Sequence, residues 1–221
     1  MPNMDWSDVD AFLGTKLLKS DNLLDAVQHT NDVAGLPSIQ VSPLQGQFLS
    51  LLAKISGSAR ILEIGTLGGY STIWLARALP AKGRLISLEF DPHHAEVARK
   101  NIERAGLSDC VVILTGAALA TLPQLHQQGI GPFDFILIDA DKANMPHYLD
   151  WSLQLSRPGT VIVADNVVRE GEVTNPLSTD PDVVGLRKFL DMVARDSRLT
   201  ASALQTVGVK GWDGFAVVLV E

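Results

Sequence analysis

From residue 60 onward, short runs of aliphatic and β-branched residues alternate with longer stretches whose apolar positions recur at helical spacing. The runs predict strands at 60–64, 84–89, 111–115, 133–138 and 159–164, and the stretches between them predict helices at about 70–79, 92–105, 118–127 and 142–155. Runs such as Phe135-Ile136-Leu137-Ile138 and Val161-Ile162-Val163-Ala164 are apolar throughout, the mark of strands buried on both faces of a parallel sheet. Alternation of this kind predicts βαβ units and an α/β, doubly wound, mostly parallel sheet. The end of the chain breaks the rhythm. A polar stretch at 167–181, with one Gly and two Pro, predicts a loop over the site. A helix at about 182–195 follows, then two extended runs at 199–206 and 214–220. The glycine-rich link Gly208 to Gly214 between them predicts an antiparallel hairpin at one sheet edge and brings the strand count to seven.

Before residue 60 the pattern is helical. Val9, Phe12, Leu13, Leu17 and Leu18 fall at helical spacing, Gly35-Leu36-Pro37 marks a break, and Ser42-Pro43 reads as an N-cap with Pro at the first helical position. No repeat or low-complexity linker interrupts the chain. One domain over 1–221 is expected, with helices of residues 1–56 lying over the site.

Composition narrows the function. The 221 residues are 46% hydrophobic, enough for one sizeable core. A net charge of −7, with no basic block, argues against nucleic acid as a partner and against membranes with anionic head groups. The single cysteine, Cys110, rules out an internal disulfide; its place before Val111-Val112-Ile113 predicts a buried structural thiol. The first residues lack a basic segment followed by an apolar one, and no run approaches the roughly 20 residues of a membrane span. A soluble cytoplasmic protein is expected.

Candidate chemistry sits at the ends of the predicted strands. Strand 60–64 runs through Glu63-Ile64-Gly65-Thr66-Leu67-Gly68-Gly69-Tyr70-Ser71 into a helix. Glycines at such a turn let backbone approach a ligand, and the helix offers free N–H groups. The spacing is Gly-x-x-Gly-Gly after an acid, not the dinucleotide pattern. Glu63 would repel a pyrophosphate but suits a cationic amino-acid group, directly or through water. Glu89, closing the second strand, stands where an acid accepts hydrogen bonds from ribose hydroxyls.

The strands at 133–138 and 159–164 run into Asp139-Ala140-Asp141-Lys142 and Asp165-Asn166. Strands about 4.8 Å apart would bring two carboxylates and an amide oxygen to one small volume. That all-oxygen set suits Mg²⁺, Mn²⁺ or Ca²⁺ better than Zn²⁺. Lys142 beside it reads as a base. Simpler roles exist for each residue: Asp139 or Asp141 as a helix N-cap, Asp-Asn as a turn former, Lys142 as a solvated helix residue. His93-His94 read as surface residues at a helix start, and His29, His126 and His147 have no evident partner. The tryptophans read as packing residues, with Trp6 or Trp212 able to line an acceptor pocket.

Taken together, Gly46-Gln47-Phe48-Leu49, Glu63 to Ser71, Gly116-Ala117-Ala118, Asp139 to Lys142 and Asp165-Asn166 resemble S-adenosylmethionine-dependent methyltransferases of the seven-stranded class. Within these, the chain is similar from about residue 39 onward to the cation-dependent O-methyltransferase family that includes caffeoyl-CoA and catechol O-methyltransferases. The resemblance implies a Rossmann-like sheet. It puts the cofactor's amino-acid end near Val41, Glu63, Gly65, Thr66 and Ser71, its ribose on Glu89, its adenine near Ala118, and Asp141 at a position that also contacts the cofactor. Asp139, Asp165 and Asn166 match the family's metal ligands. The resemblance implies methylation of a hydroxyl on a vicinal diphenol, with Lys142 as general base and a homodimeric assembly. Val167-Val168-Arg169-Glu170-Gly171 departs from the aromatic-containing segment of many relatives, and no basic cluster awaits the phosphates of CoA. A small catechol-type acceptor is therefore expected. An NAD-dependent oxidoreductase and a non-catalytic small-molecule-binding protein on the same fold are the competing readings.

Overall fold

Glycines follow the strands that end at Ile64 and Thr115, and the side chains of Asp21, Asp91 and Asp180 cap the helices that begin at Asn22, Pro92 and Pro181. A computed structural model describes residues 5–221; the readings that fall on residues 1–4 lie outside it. Three helices come first: α1 (Trp6–Leu17), α2 (Asn22–Val33) and α3 (Pro43–Ile55). The alternating unit follows as β1 (Arg60–Ile64), α4 (Tyr70–Ala76), β2 (Arg84–Glu89), α5 (Pro92–Arg104), β3 (Val111–Thr115), α6 (Ala118–Gln127), β4 (Phe135–Ile138), α7 (Met145–Gln154) and β5 (Val161–Asp165). The chain ends with α8 (Pro181–Arg195), β6 (Leu199–Gly208) and β7 (Gly211–Val220). Ser42 caps α3, accepting from the Gln45 N–H at 3.2 Å, and Asp91 caps α5 through the N–H groups of His93 and His94.

The seven strands order as β3-β2-β1-β4-β5-β7-β6. Strands β1 to β5 pair in parallel, and β7 and β6 are antiparallel to their neighbours. Because β1 pairs with β2 on one side and β4 on the other, the winding direction reverses between β1 and β4. A crevice opens there, outside the carboxyl ends of the strands. Helices α6, α7 and α8 bury Leu122, Leu125, Leu149, Leu186 and Phe189 against one face of the sheet. Helices α2 to α5 bury Val27, Leu49, Ile73, Ala98 and Ile102 against the other. Each large side chain so buried contributes about 1.5–3 kcal/mol, which makes the sheet a rigid base for residues at its rim.

Several limits differ from the sequence reading, each for a local reason. Helix α4 ends at Ala76 rather than 79: Ala78 and Leu79 make tight bonds back to Leu75 and Ala76 ahead of Pro80. The helix expected over 142–155 is two pieces, a 3₁₀ turn at Lys142–Asn144 and then α7. Asp141 caps the turn, and Pro146, lacking an N–H, cannot continue a helical ladder from it. The hairpin strands run longer than expected and leave only Val209 and Lys210 as the turn. Cys110 is half-buried rather than buried, its thiol 3.4 Å from the Leu107 carbonyl. Among the described residues the apolar positions of α1 find little cover: Trp6, Phe12 and Leu17 are 48%, 60% and 60% exposed. Among the described residues no helix is long and apolar enough to cross a membrane.

Candidate active site

The crevice at the reversal point is a cleft of about 910 Å³ that runs from Phe90 and Ala118 at one end to Asp165, Asn166 and Arg169 at the other. Gly65 makes its middle possible. With φ +101 it turns the chain out of β1, and a Cβ there would strike the Asp139 carbonyl. The ends of β1 and β4 are thereby locked together, and the loops after them face one another.

The β1–β2 end is dense with hydrogen bonds. The Glu63 carboxylate is fully buried and accepts from Ser71 Oγ at 2.6 Å, Thr72 Oγ1 at 2.5 Å and Ser87 Oγ at 2.6 Å. Burial nevertheless pushes this carboxyl up to about 7. Glu89 accepts from the Thr66 and Leu67 N–H groups at 3.1 and 2.7 Å through one oxygen, and from the Asp91 N–H at 2.9 Å through the other. His94 Nδ1 lies 3.6 Å from that second oxygen. A carboxylate offers about four acceptor sites. Three are engaged, so Glu89 has room for one further good hydrogen bond, and a second hydroxyl would have to share. The same two bonds hold the loop in shape, including Leu67 in the left-handed region at φ 49.

The β4–β5 end is arranged differently. The register pairs Ile138 with Ala164, so Asp139 and Asp165 leave adjacent strands at one level. Asp165 is 6% exposed and accepts from the Asn166 N–H at 2.9 Å. Its carboxyl is pushed well above the ordinary range, first by burial and then by the Asp139 charge, with Lys142 pulling the other way. Asn166 sits in the left-handed region at φ 57, a conformation asparagine tolerates and one that concentrates at functional sites. Lys142 is 4% exposed and its Nζ lies 3.3 Å from Asp139 Oδ1. Its backbone is fixed by α8, where Gly185 packs so closely on the Lys142 and Ala143 carbonyls that a Cβ would collide with both.

Two carboxylates at one level, an amide beside them and a carboxyl destabilised as an anion together fit a hard divalent cation. Among the described residues no three His, Cys, Asp or Glu side chains cluster so as to hold a metal, so a cation at this place would need the Asn166 amide as well.

Val41, Gly65, Thr66, Ser71, Glu89, Ala118, Asp139, Asp141, Lys142, Asp165 and Asn166 all line this one cleft. Glu63 does not. It lies behind the wall with its carboxylate bonded to Ser71, Thr72 and Ser87, so the direct contact considered for it is not available. Asp141 takes the capping role open to it, accepting from Asn144 Nδ2 at 2.6 Å and from the Tyr148 hydroxyl at 2.5 Å. Burial and Asp141 raise the Tyr148 hydroxyl. Sequence reasoning passed over Tyr148, Gln45, Phe90, His94, Arg169 and Lys210, all of which line the cleft. His94, expected at the surface, stands next to Glu89 because the start of α5 follows the end of β2. Trp212 instead packs over Gly171 and donates to Gln205 Oε1 at 2.9 Å.

A doubly wound seven-stranded sheet with a reversed last strand, acids at the ends of β1 and β2 and an oxygen-rich patch at the ends of β4 and β5 defines the class of S-adenosylmethionine-dependent methyltransferases. A family model described as O-methyltransferase matches residues 16–218. The chain is 52% identical over 221 residues to a catechol O-methyltransferase of Niastella koreensis, with 100% of both chains covered. It is also 52% identical to a catechol O-methyltransferase of Mycobacterium tuberculosis, over 97% of this chain and 96% of that one. The crystal structure of an O-methyltransferase from Bacillus cereus in complex with SAH superposes with a TM-score of 0.97 at 54% identity, covering 98% of each chain. The chain belongs to the O-methyltransferase family.

Proposed function

We propose that this enzyme moves a methyl group from S-adenosylmethionine to one hydroxyl of a vicinal diphenol, with a divalent cation, Mg²⁺ first among Mn²⁺ and Ca²⁺, held by Asp139, Asp165 and Asn166. The observation that carries the reading is the meeting, in one cleft, of a Glu89–Gly65 end suited to a nucleoside and an Asp139–Asp165 end suited to a cation. Val41, Gly65, Thr66 and Ser71 would surround the amino-acid part of the donor, with Glu63 acting through Ser71. Glu89 would take a ribose hydroxyl, Ala118 would pack on the adenine, and Asp141, braced by Tyr148 and Asn144, would face the same molecule.

A phenol has a pKa of about 10, so little of it is anionic near neutrality. Bound in this site, a divalent cation supplies the Lewis acidity that favours the phenolate and fixes it in place. Lys142 Nζ, as the free amine, takes the hydroxyl proton and becomes the ammonium that pairs with Asp139. The oxygen then forms its bond to the methyl carbon as the carbon–sulfur bond breaks, and the electron pair stays on sulfur. Holding the two reactants in line supplies much of the acceleration, up to about 7–11 kcal/mol for well-oriented groups. The link between α2 and α3 contributes Ser38 to Val41 to the wall, α3 contributes Gln45, and the N-terminal helices would cover the acceptor.

Catechol and substituted diphenols offered with labelled donor, with and without Mg²⁺, test the reading. Metal-dependent labelling of one hydroxyl is expected; donor binding without transfer to any diphenol would favour a non-catalytic binding protein instead. An oxidoreductase reading finds no support in the family match or in the Gly-x-x-Gly-Gly turn. The assembly we propose is a homodimer. Its support is the uncovered apolar face of α1 and the ten-residue edge strand β6, almost wholly exposed, which a second copy would cover. Sedimentation at the mass of two chains is expected, and a monomer at micromolar concentration would contradict it.

A further inference from the structure

The mouth of the cleft beyond Asn166 carries two cations in a protein whose net charge is −7. Arg169 follows Asn166 by three residues. Its backbone is clipped to β7: Asp213 Oδ1 accepts from the Val168, Arg169 and Gly214 N–H groups at 3.0, 3.1 and 2.9 Å. This holds Arg169 in the left-handed region at φ 53. A long-range ion pair at 3.6 Å ties its guanidinium to Asp182, whose other oxygen accepts from the Ala143 N–H at 3.0 Å. Lys210 stands at the turn of the β6–β7 hairpin. Since Phe215 pairs with Asp165, Lys210 stands about 16 Å along β7 from that level, at roughly 3.3 Å per residue, on the side where the cleft opens.

Of these two cations, Lys210 is the one without a carboxylate partner among the described residues. Its amine donates to the Ser38 carbonyl at 3.0 Å, and no carboxylate of the described residues forms a salt bridge with it. Burial pulls its ammonium below the ordinary value, with the Asp32 charge opposing. A lone ammonium needs no cleft to satisfy a single carbonyl. Here it shares the wall of one with Arg169 and the carboxylates that face the acceptor.

We infer that Arg169 and Lys210 form an anion-binding rim that selects diphenols bearing a carboxylate on the arm opposite the two hydroxyls. The inference rests on the diphenol reading above. With its hydroxyls at the Asp139–Asp165 end, such an acceptor would project its carboxylate out of the cleft toward the hairpin turn. There Arg169 offers a planar pair of donors, and Lys210 offers a point charge that can leave Ser38 for it.

The test compares 3,4-dihydroxycinnamate with its methyl ester, which keeps the shape and removes the charge, and with the cationic 3,4-dihydroxyphenethylamine. The acid is expected to exceed the ester by about tenfold in kcat/KM, mostly through KM, with the amine lowest, and the margin should shrink in high salt. Lys210→Met and Arg169→Gln should each cut the acid-to-ester ratio about threefold or more, while Arg169→Lys retains most of it. Lys100→Met, on the exposed face of α5, serves as the remote control and leaves the ratio as it is. Equal use of acid and ester by the unaltered enzyme, or a ratio that survives both Lys210→Met and Arg169→Gln, would overturn the rim and leave the methyl-transfer reading standing. Failure to methylate acid and ester alike, with donor bound, would overturn both.

Discussion

The two ends of the cleft solve opposite problems. Around Glu63 and Glu89 the acidic oxygens already have donors: three hydroxyls on one carboxylate, three backbone N–H groups on the other. Nothing there has to rearrange when a ligand arrives. Around Asp139 and Asp165 the same kind of group is left short. Two carboxylates leave adjacent strands at one level, with Lys142 beside Asp139 and Asn166 following Asp165, and burial first, then the Asp139 charge, lifts Asp165 above its ordinary range. On the proposed reading, the first end recognises a molecule that is always the same, and the second would be completed by a cation and an acceptor.

If that contrast is right, damage at the two ends should be felt in different measurements. The largest effect is expected from Asp165→Ala: methyl transfer should fall roughly a thousandfold, because the charge-stabilising centre is lost, while donor affinity measured by calorimetry stays within about threefold. A comparable loss of donor binding would erase the distinction between the ends. Next comes Lys142→Ala, expected to lower kcat about a hundredfold, the scale of a lost general base, again with donor binding retained. A fully active variant would remove Lys142 from the proton transfer.

The smallest effect belongs to the donor end and appears in stability. Burial lifts Glu63 from the ordinary 4.5 to about 7 in the folded chain. Between those two values the folded state keeps a proton that the unfolded state has lost. The contribution of this group to stability is therefore fully present below about pH 4.5 and drains away as the pH rises to about 7, by at most about 3 kcal/mol. Glu63→Gln should flatten the dependence of the urea midpoint on pH across that window. An unchanged slope would mean that Glu63 titrates normally.

How legible each part was follows from the range of the interactions that fix it. Strands β1, β2 and β3 fall at their expected residues because apolar runs and flanking glycines are local signals, and the cap at Asp91 made the start of α5 equally plain. The acids and the amide at the strand ends were legible for the same reason: a strand end is where a doubly wound sheet puts its chemistry. What escaped comes from long-range approach. Tyr148 lies one helical face away from invisibility, and only the packing of α7 shows that its hydroxyl meets Asp141. Lys210 enters the cleft because β7 runs antiparallel past Asp165, and Arg169 because Asp213 seizes the chain two residues after Asn166. The helical period of α1 was readable, but an amphipathic pattern says only that a face wants cover, not that this chain supplies it.

The most direct test of the incomplete end is to count cations on it. Titrating Mn²⁺ into the protein with donor product bound, followed by electron paramagnetic resonance, should show one site per chain that disappears in Asp165→Ala and weakens in Asn166→Ala. Mn²⁺ bound equally well by the native chain and by Asp165→Ala, or undiminished methyl transfer in excess chelator, would contradict the account.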